Sequence, residues 1–306
     1  MWLYWPGLRD ILIPDPLKAA GTQMSSERQE NMLIEILKAI LFGIVEGVTE
    51  WLPISSTGHL ILLQEFVRLD VSDAFWEMFE VVIQLGAILA VVVLYFSRLN
   101  PFSRQKSTAE KQNTWKLWLK VIVAVLPSAV VGVLLDDWFN AHLYNYVTVA
   151  IALVVYGILF IVIERMRRNQ RDLYAGAEDI TYKTAFYIGC FQVLSIVPGT
   201  SRSGSTILGA MLVGVSRTAA AEFSFFLAIP TMLGASLLKG AKFVLGGTGV
   251  SSVEAAVLAV GCAVAFLVSL LVIRALVSYV RRHSFSAFGV YRIVLGALVV
   301  LYFLTV

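Results

Sequence analysis

Charged residues are absent from four long stretches of the chain: Val81 to Ser97, Val121 to Leu135, Ala255 to Ile273 and Ile293 to Val306. With flanking apolar positions, each approaches the roughly 17–25 residues that cross a bilayer as a helix. The stretches do not alternate polar with apolar residues, which excludes a transmembrane barrel. Hydrocarbon offers no partner to backbone polar groups, so each segment must satisfy its own. The pattern predicts an all-α integral membrane protein with six transmembrane helices, at about 79–97, 118–135, 146–163, 219–238, 254–275 and 286–305. Two further segments, about 33–67 and 184–215, are apolar but interrupted. One breaks at Pro53-Ile54-Ser55-Ser56-Thr57-Gly58, the other at Pro198-Gly199-Thr200-Ser201-Arg202-Ser203-Gly204. Non-helical backbone at membrane depth survives only where protein buries it or where it lines a wet cavity. Both segments therefore read as re-entrant helical hairpins.

The hairpins resemble each other. Gly43 precedes Gly58 by fifteen residues and Gly189 precedes Gly204 by fifteen, with Glu46 and Gln192 each three beyond the first glycine. Pro53 and Pro198 stand at nearly matching places, and an acidic residue, Glu80 or Glu222, follows near the head of the next apolar helix. Paired interruptions of this kind mark the functional site of many membrane proteins. The repeat halves run from about 33 to 135 and from 184 to 275, within one polytopic domain covering 32–306. Residues 1–31, rich in Trp, Pro and charge, form an N-terminal extension expected to be poorly ordered or interfacial, and a start at Met24 or Met32 is an alternative. Gly43, Gly47 and Gly209 suit close helix packing.

Composition agrees: 58% of residues are hydrophobic and 15% charged, with mean hydropathy +0.79, against about 25% charged in soluble domains. The net charge of +3 lies in loops without a basic, aromatic-interleaved stripe, so no nucleic-acid partner is implied. Cys190 and Cys262 sit in apolar segments without disulfide or metal-site spacing. Lys and Arg crowd the loops 98–117, 164–183 and 274–285, whereas 136–145 has neither. The positive-inside rule places the three basic loops in the cytoplasm. The first hairpin then enters from outside, the second from the cytoplasm, and their tips meet near the midplane as an inverted repeat. Lys239 and Lys242 fall on the outer side and run against the bias.

Ionisable groups inside a membrane segment are costly and therefore functional candidates. Glu46 and Glu50, four apart, share one helical face. Their mutual repulsion is relieved by a divalent cation with hard oxygen ligands, or by protonation of one. Pro53 ends this helix. Ser55, Ser56 and Thr57 precede a new helix start, where free N–H groups and the helix dipole favour phosphate. His59, in its first turn, is a candidate acid or base with a nearby hydroxyl as nucleophile. In the second hairpin, Arg202 among Ser201, Ser203, Ser205 and Thr206 makes a plausible phosphate clamp. A structural ion pair of Arg202 with Glu46, Glu50 or Glu222 is the competing reading, and the two roles can coexist. Gln84, Glu80 and Glu222 read either as supporting site residues or as helix-end polar groups.

The stretch Glu46-Gly47-Val48-Thr49-Glu50-Trp51-Leu52-Pro53-Ile54-Ser55-Ser56-Thr57-Gly58-His59, with Pro198-Gly199-Thr200-Ser201-Arg202-Ser203-Gly204, resembles the two signature motifs of the undecaprenyl-diphosphate phosphatase, or bacitracin-resistance, family. Phe79-Glu80-Val81-Val82-Ile83-Gln84-Leu85-Gly86 and Ala221-Glu222-Phe223-Ser224-Phe225 extend the likeness, which runs from about residue 33 to the C-terminus. Trp51 stands where the family commonly has Phe. The resemblance implies removal of the terminal phosphate from undecaprenyl diphosphate, at the outer side of the bacterial cytoplasmic membrane and with a divalent cation, Mg2+ or Ca2+. It implies Glu46 and Glu50 as the metal-binding acidic pair, Ser56 as nucleophile or phosphate contact, His59 as acid/base and Arg202 as phosphate ligand. Ser55, Thr57, Gln84, Ser201, Ser203 and Thr206 are the expected supporting contacts. The partners are the polyprenyl diphosphate and membrane lipid, with a homodimer left open. The rival reading is a polyprenyl-phosphate flippase or anion transporter built on the same repeat.

Overall fold

The computed structural model describes residues 16–247 and 249–305. Among them there is no sheet, and the chain is a bundle of helices. The first hairpin is α1 (Pro16–Thr49) and α2 (Ser56–Phe66). The crossing that follows is broken at Ile83 into α3 (Asp73–Val82) and α4 (Gln84–Leu94), trailed by the short α5 (Phe96–Leu99). Next come α6 (Thr108–Leu143) and α7 (Tyr146–Arg167), then the second hairpin, α8 (Tyr182–Val193) and α9 (Arg202–Leu212). The chain closes with α10 (Arg217–Leu245), α11 (Ser252–Val280) and α12 (Ser286–Thr305). Among the described residues six helical segments, α3 with α4 counting as one, are long and apolar enough to cross a membrane, as the hydrophobic pattern predicts. α1 runs from Pro16, so residues 16–31 of the N-terminal extension are helical; residues 1–15 lie outside the described residues.

Side-chain caps explain most boundaries. Ser107 with Glu110 and Ser251 with Glu254 form reciprocal capping boxes at α6 and α11. Ser72, Asn145, Thr181 and Ser216 accept from the first-turn N–H groups of α3, α7, α8 and α10.

Contacts sort the helix ends into two groups. At one end the Asp70 N–H donates to Glu35, the Ser72 hydroxyl donates to Glu254, and Tyr144 donates to Glu80. At the other end Arg98 pairs with Glu178 and Glu222, Leu173 N–H donates to Gly214, and Arg217 pairs with Glu164. The first hairpin thus starts and finishes at one end of the bundle, the second at the opposite end. Packing follows the same two-fold logic. α1 lies on α11 as α8 lies on α6, and α7 packs against α12 across the pseudo-axis. The matching glycines make these contacts close. A Cβ on Gly43 would stand 2.7 Å from the Gly261 carbonyl, and one on Gly189 would run into the backbone at Ala124. Gly47 likewise faces the Ala265 carbonyl, and Gly209 faces the Phe191 ring.

Candidate active site

Between the arms of each hairpin the backbone makes the same unusual turn. Ser55 and Ser201 have φ of 75° and 72°, in the left-handed region that side-chain-bearing residues rarely adopt. Each caps the returning helix by accepting from the N–H three residues on, Gly58 at 3.2 Å and Gly204 at 3.1 Å. A non-glycine residue in this region costs on the order of 1–3 kcal/mol, and such strain is concentrated at functional sites. The turns aim the N-termini of α2 and α9 toward the meeting point of the tips, and a helix N-terminus favours an anion.

The tips are stitched to each other. Arg202 Nη2 donates to Glu50 Oε1 at 3.0 Å, and Ser203 Oγ lies 3.1 Å and 3.2 Å from the carbonyls of Glu50 and Leu52. Ser56 Oγ donates to Glu50 Oε2 at 2.6 Å. Arg202 Nη1 donates to the Ser224 carbonyl at 2.7 Å, and Thr206 and Ser224 share a hydroxyl hydrogen bond of 2.7 Å. Trp51 is fully buried, with the Arg202 guanidinium over its ring at 5.7 Å. Two sequence expectations for Arg202 therefore meet in one place: it pairs with Glu50 and it sits at a helix start among hydroxyls.

Glu46 is fully buried, and among the described residues neither of its carboxylate oxygens has a hydrogen-bond partner. Its mate in the repeat, Gln192, is neutral, and its amide nitrogen donates to Ser128 at 2.6 Å and to Thr231 at 3.2 Å. Only the first hairpin keeps an acid at this depth. Two orphaned carboxylate oxygens, one helical turn from Glu50, are the hard donors a divalent cation takes. No group of three or more His, Cys, Asp and Glu placed to hold a metal ion by themselves occurs among the described residues. The Glu46 carboxylate, with Glu50 one turn on, is the part of the site whose donor chemistry suits a hard divalent cation.

His59, one turn beyond Ser56, has its ring nitrogens committed elsewhere than to the Glu50–Ser56 pair. Its Nδ1 lies 2.7 Å from the Ser55 carbonyl, so that nitrogen carries the proton, and its Nε2 accepts from the Tyr291 hydroxyl at 2.7 Å. Thr57 and Gln84 line a chamber of about 180 Å3 with Glu80, Tyr144 and Lys239. The last three also line a wider cavity of about 530 Å3 beyond it, with Glu77 and Lys242. Thr57, at the first hairpin tip beside Ser56, brings the smaller chamber next to the site, on the side of the bundle where the first hairpin begins. Glu222 is not at the site: it pairs with Arg98 at the opposite end, where Arg98 also lies over the Phe226 ring. Tyr291, Tyr144 and Arg292 were not singled out by the sequence, and Ser224 stood there only as part of a motif. Of these, Arg292 carried a signal, as the charge that immediately precedes the apolar run of the last helix.

An inverted repeat whose broken helices bring an acid, a hydroxyl and an arginine together inside the membrane defines a polytopic membrane protein built to handle a phosphate group. The chain belongs to the family described as bacitracin resistance protein BacA, whose sequence pattern matches residues 39–298. It is 59% identical over 271 residues to the undecaprenyl-diphosphatase of Streptococcus pyogenes serotype M4 (strain MGAS10750), covering 89% of this chain and 97% of that protein. The same identity and coverage hold for the undecaprenyl-diphosphatase of Streptococcus pyogenes serotype M1.

Proposed function

We infer that the chain hydrolyses undecaprenyl diphosphate to undecaprenyl phosphate and inorganic phosphate, recycling the lipid carrier of cell-wall synthesis and so conferring bacitracin resistance. The observation that carries this reading is the Glu50–Ser56–Arg202 cluster, assembled from both hairpin tips. Phosphoryl transfer asks for positioning and charge neutralisation. Arg202, whose Nε has no partner among the described residues, would grip phosphate oxygens with the two helix starts. Ser56, already donating to Glu50, is set to pass its proton to that carboxylate. Its oxygen then bonds to the terminal phosphorus as the anhydride P–O bond breaks and the lipid monophosphate leaves. Water next cleaves the phosphoserine. If Ser56 only orients the phosphate, water attacks directly and the same carboxylate takes the water's proton. A divalent cation on Glu46 and Glu50 would add positive charge opposite the phosphate oxygens. Burial of the cluster at membrane depth lets the polyprenyl tail stay in lipid.

The chamber opens at the end of the bundle opposite the basic loops, which supports a site facing the outer side of the bacterial cytoplasmic membrane. One chain supplies every residue of the cluster, so a homodimer is not required. The reading is tested by phosphate release from a polyprenyl diphosphate by the purified chain in lipid, with Mg2+ or Ca2+ and with a chelator. Metal-dependent release that disappears in Arg202→Ala supports it. The transporter reading draws on the inverted repeat. It gains only if Glu50→Gln, dead in hydrolysis, still moves labelled lipid.

A further inference from the structure

Arg292, on α12, is the second largest of the fully buried side chains, and no acidic group among the described residues pairs with it. Its guanidinium is spent on backbone carbonyls. Nη1 donates to Pro53 at 3.0 Å, in the first hairpin tip. Nη2 donates to Gly199 at 2.7 Å and Thr200 at 3.0 Å, in the second. Longer approaches of 3.5 Å reach Leu153 and Ala152 on α7, and the Tyr156 ring lies 5.4 Å below the guanidinium carbon. These tip carbonyls belong to non-helical backbone at membrane depth, where no water shell can satisfy them. One planar fork therefore satisfies both interruptions at once and holds them at a set separation.

We propose that Arg292 is a positioning residue: it touches none of the reacting groups, but it fixes the first tip, which carries Glu50 and Ser56, against the second, which carries Arg202. The repeat has no second copy of this device, because the facing helix α7 contributes carbonyls rather than a guanidinium. A lysine keeps the charge but presents one nitrogen, which cannot span carbonyls on two separate loops. Misplacing reacting groups by about 1 Å can cost roughly 10²-fold in rate.

This inference rests on the phosphatase reading and is separable from it. In the full-length chain in lipid, Arg292→Lys should lower kcat about 10²-fold with little change in KM. In an Arg202→Lys background it should add almost no further loss, since the arm it positions is already impaired. A kcat equal to wild type, or losses that multiply fully in the double variant, would overturn the proposal. Hydrogen exchange supplies a reading that does not depend on activity. Residues 52–57 and 197–203 should exchange faster together in Arg292→Lys, with α6 and α10 unchanged. A wild-type pattern at either tip overturns the proposal even if the wild-type chain releases no phosphate, an outcome that by itself sinks only the phosphatase reading. Should Arg292→Lys fail to fold, Gly204→Ala takes its place. The added Cβ would stand 3.2 Å from Arg292 Nη1 and 3.1 Å from the Ser201 Cβ, crowding the fork without removing it. The same faster exchange at both tips is expected there, and exchange confined to residues 197–203 overturns the proposal.

Discussion

At the scale of single residues, Arg202 works because its fork reaches in two directions, to the Glu50 carboxylate and to the Ser224 carbonyl. Lysine cannot reproduce that geometry. Arg202→Lys is therefore expected to lose about 10²–10³-fold in phosphate release, comparable to deleting a donor aimed at developing charge. Glu50→Ala should also destabilise the fold, by about 3–5 kcal/mol, because it strands a buried guanidinium. Thermal unfolding in detergent would register that loss. A Glu50→Ala midpoint equal to wild type would mean that the ion pair is not holding the tips. His59 and Tyr291 separate two roles. If the imidazole moves protons, His59→Ala should cost about 10²–10⁴-fold, whereas Tyr291→Phe removes only a hydroxyl from Nε2 and should leave kcat within a few-fold. Equal losses in the two variants would show that the pair acts structurally.

At the scale of elements, helices approach each other where a glycine faces another backbone. A side chain at Gly189 would strike the Ala124 main chain, whereas Gly132, on the same α6 that Gly189 abuts, has open space around it. Gly189→Ala should therefore cost about 1–3 kcal/mol by overpacking. Gly132→Ala should be neutral or gain up to about 1 kcal/mol through helix propensity. Unfolding midpoints of the two variants in the same detergent check the pair. Matching losses would contradict the close packing of α8 on α6. The glycines were visible in the sequence as a repeated spacing, but their partners on α11 and α6 were not, because those lie in other repeat halves and only the folded chain brings them together.

For the whole molecule, the two ends differ in a way that sets direction. One end opens into the cavity lined by Glu77, Lys239 and Tyr144. The other is held by Arg98 between Glu178 and Glu222. Arg98 donates to both carboxylates, which favours its charged form. In intact cells, a cysteine at Glu77 should react with an impermeant thiol reagent, and a cysteine at Arg168 should react only after permeabilisation. Labelling in the reverse order would invert the topology. The acidic pair is also tested at this scale, since a chelator should abolish phosphate release and either Mg2+ or Ca2+ should restore it. Activity in full chelator would leave Glu46 without the role its orphaned oxygens suggest.

Hydrophobic length, the two interruptions and the basic loops sufficed to determine six spans, two re-entrant hairpins and their opposed orientation. Each of these follows from local physics: a helix must be long enough for the bilayer, and a charge must stay in water. The acids, hydroxyls and Arg202 were legible too, because polar side chains stand out in an apolar segment. Tertiary structure alone decided which of them meet. Ser56 turned to Glu50 rather than to His59, Glu222 went to Arg98 at the far end, and Arg292 became the clamp between the tips. Hydrogen-bond partners in a folded core are chosen by position in three dimensions, and spacing along the chain constrains that choice only within a single turn or helix.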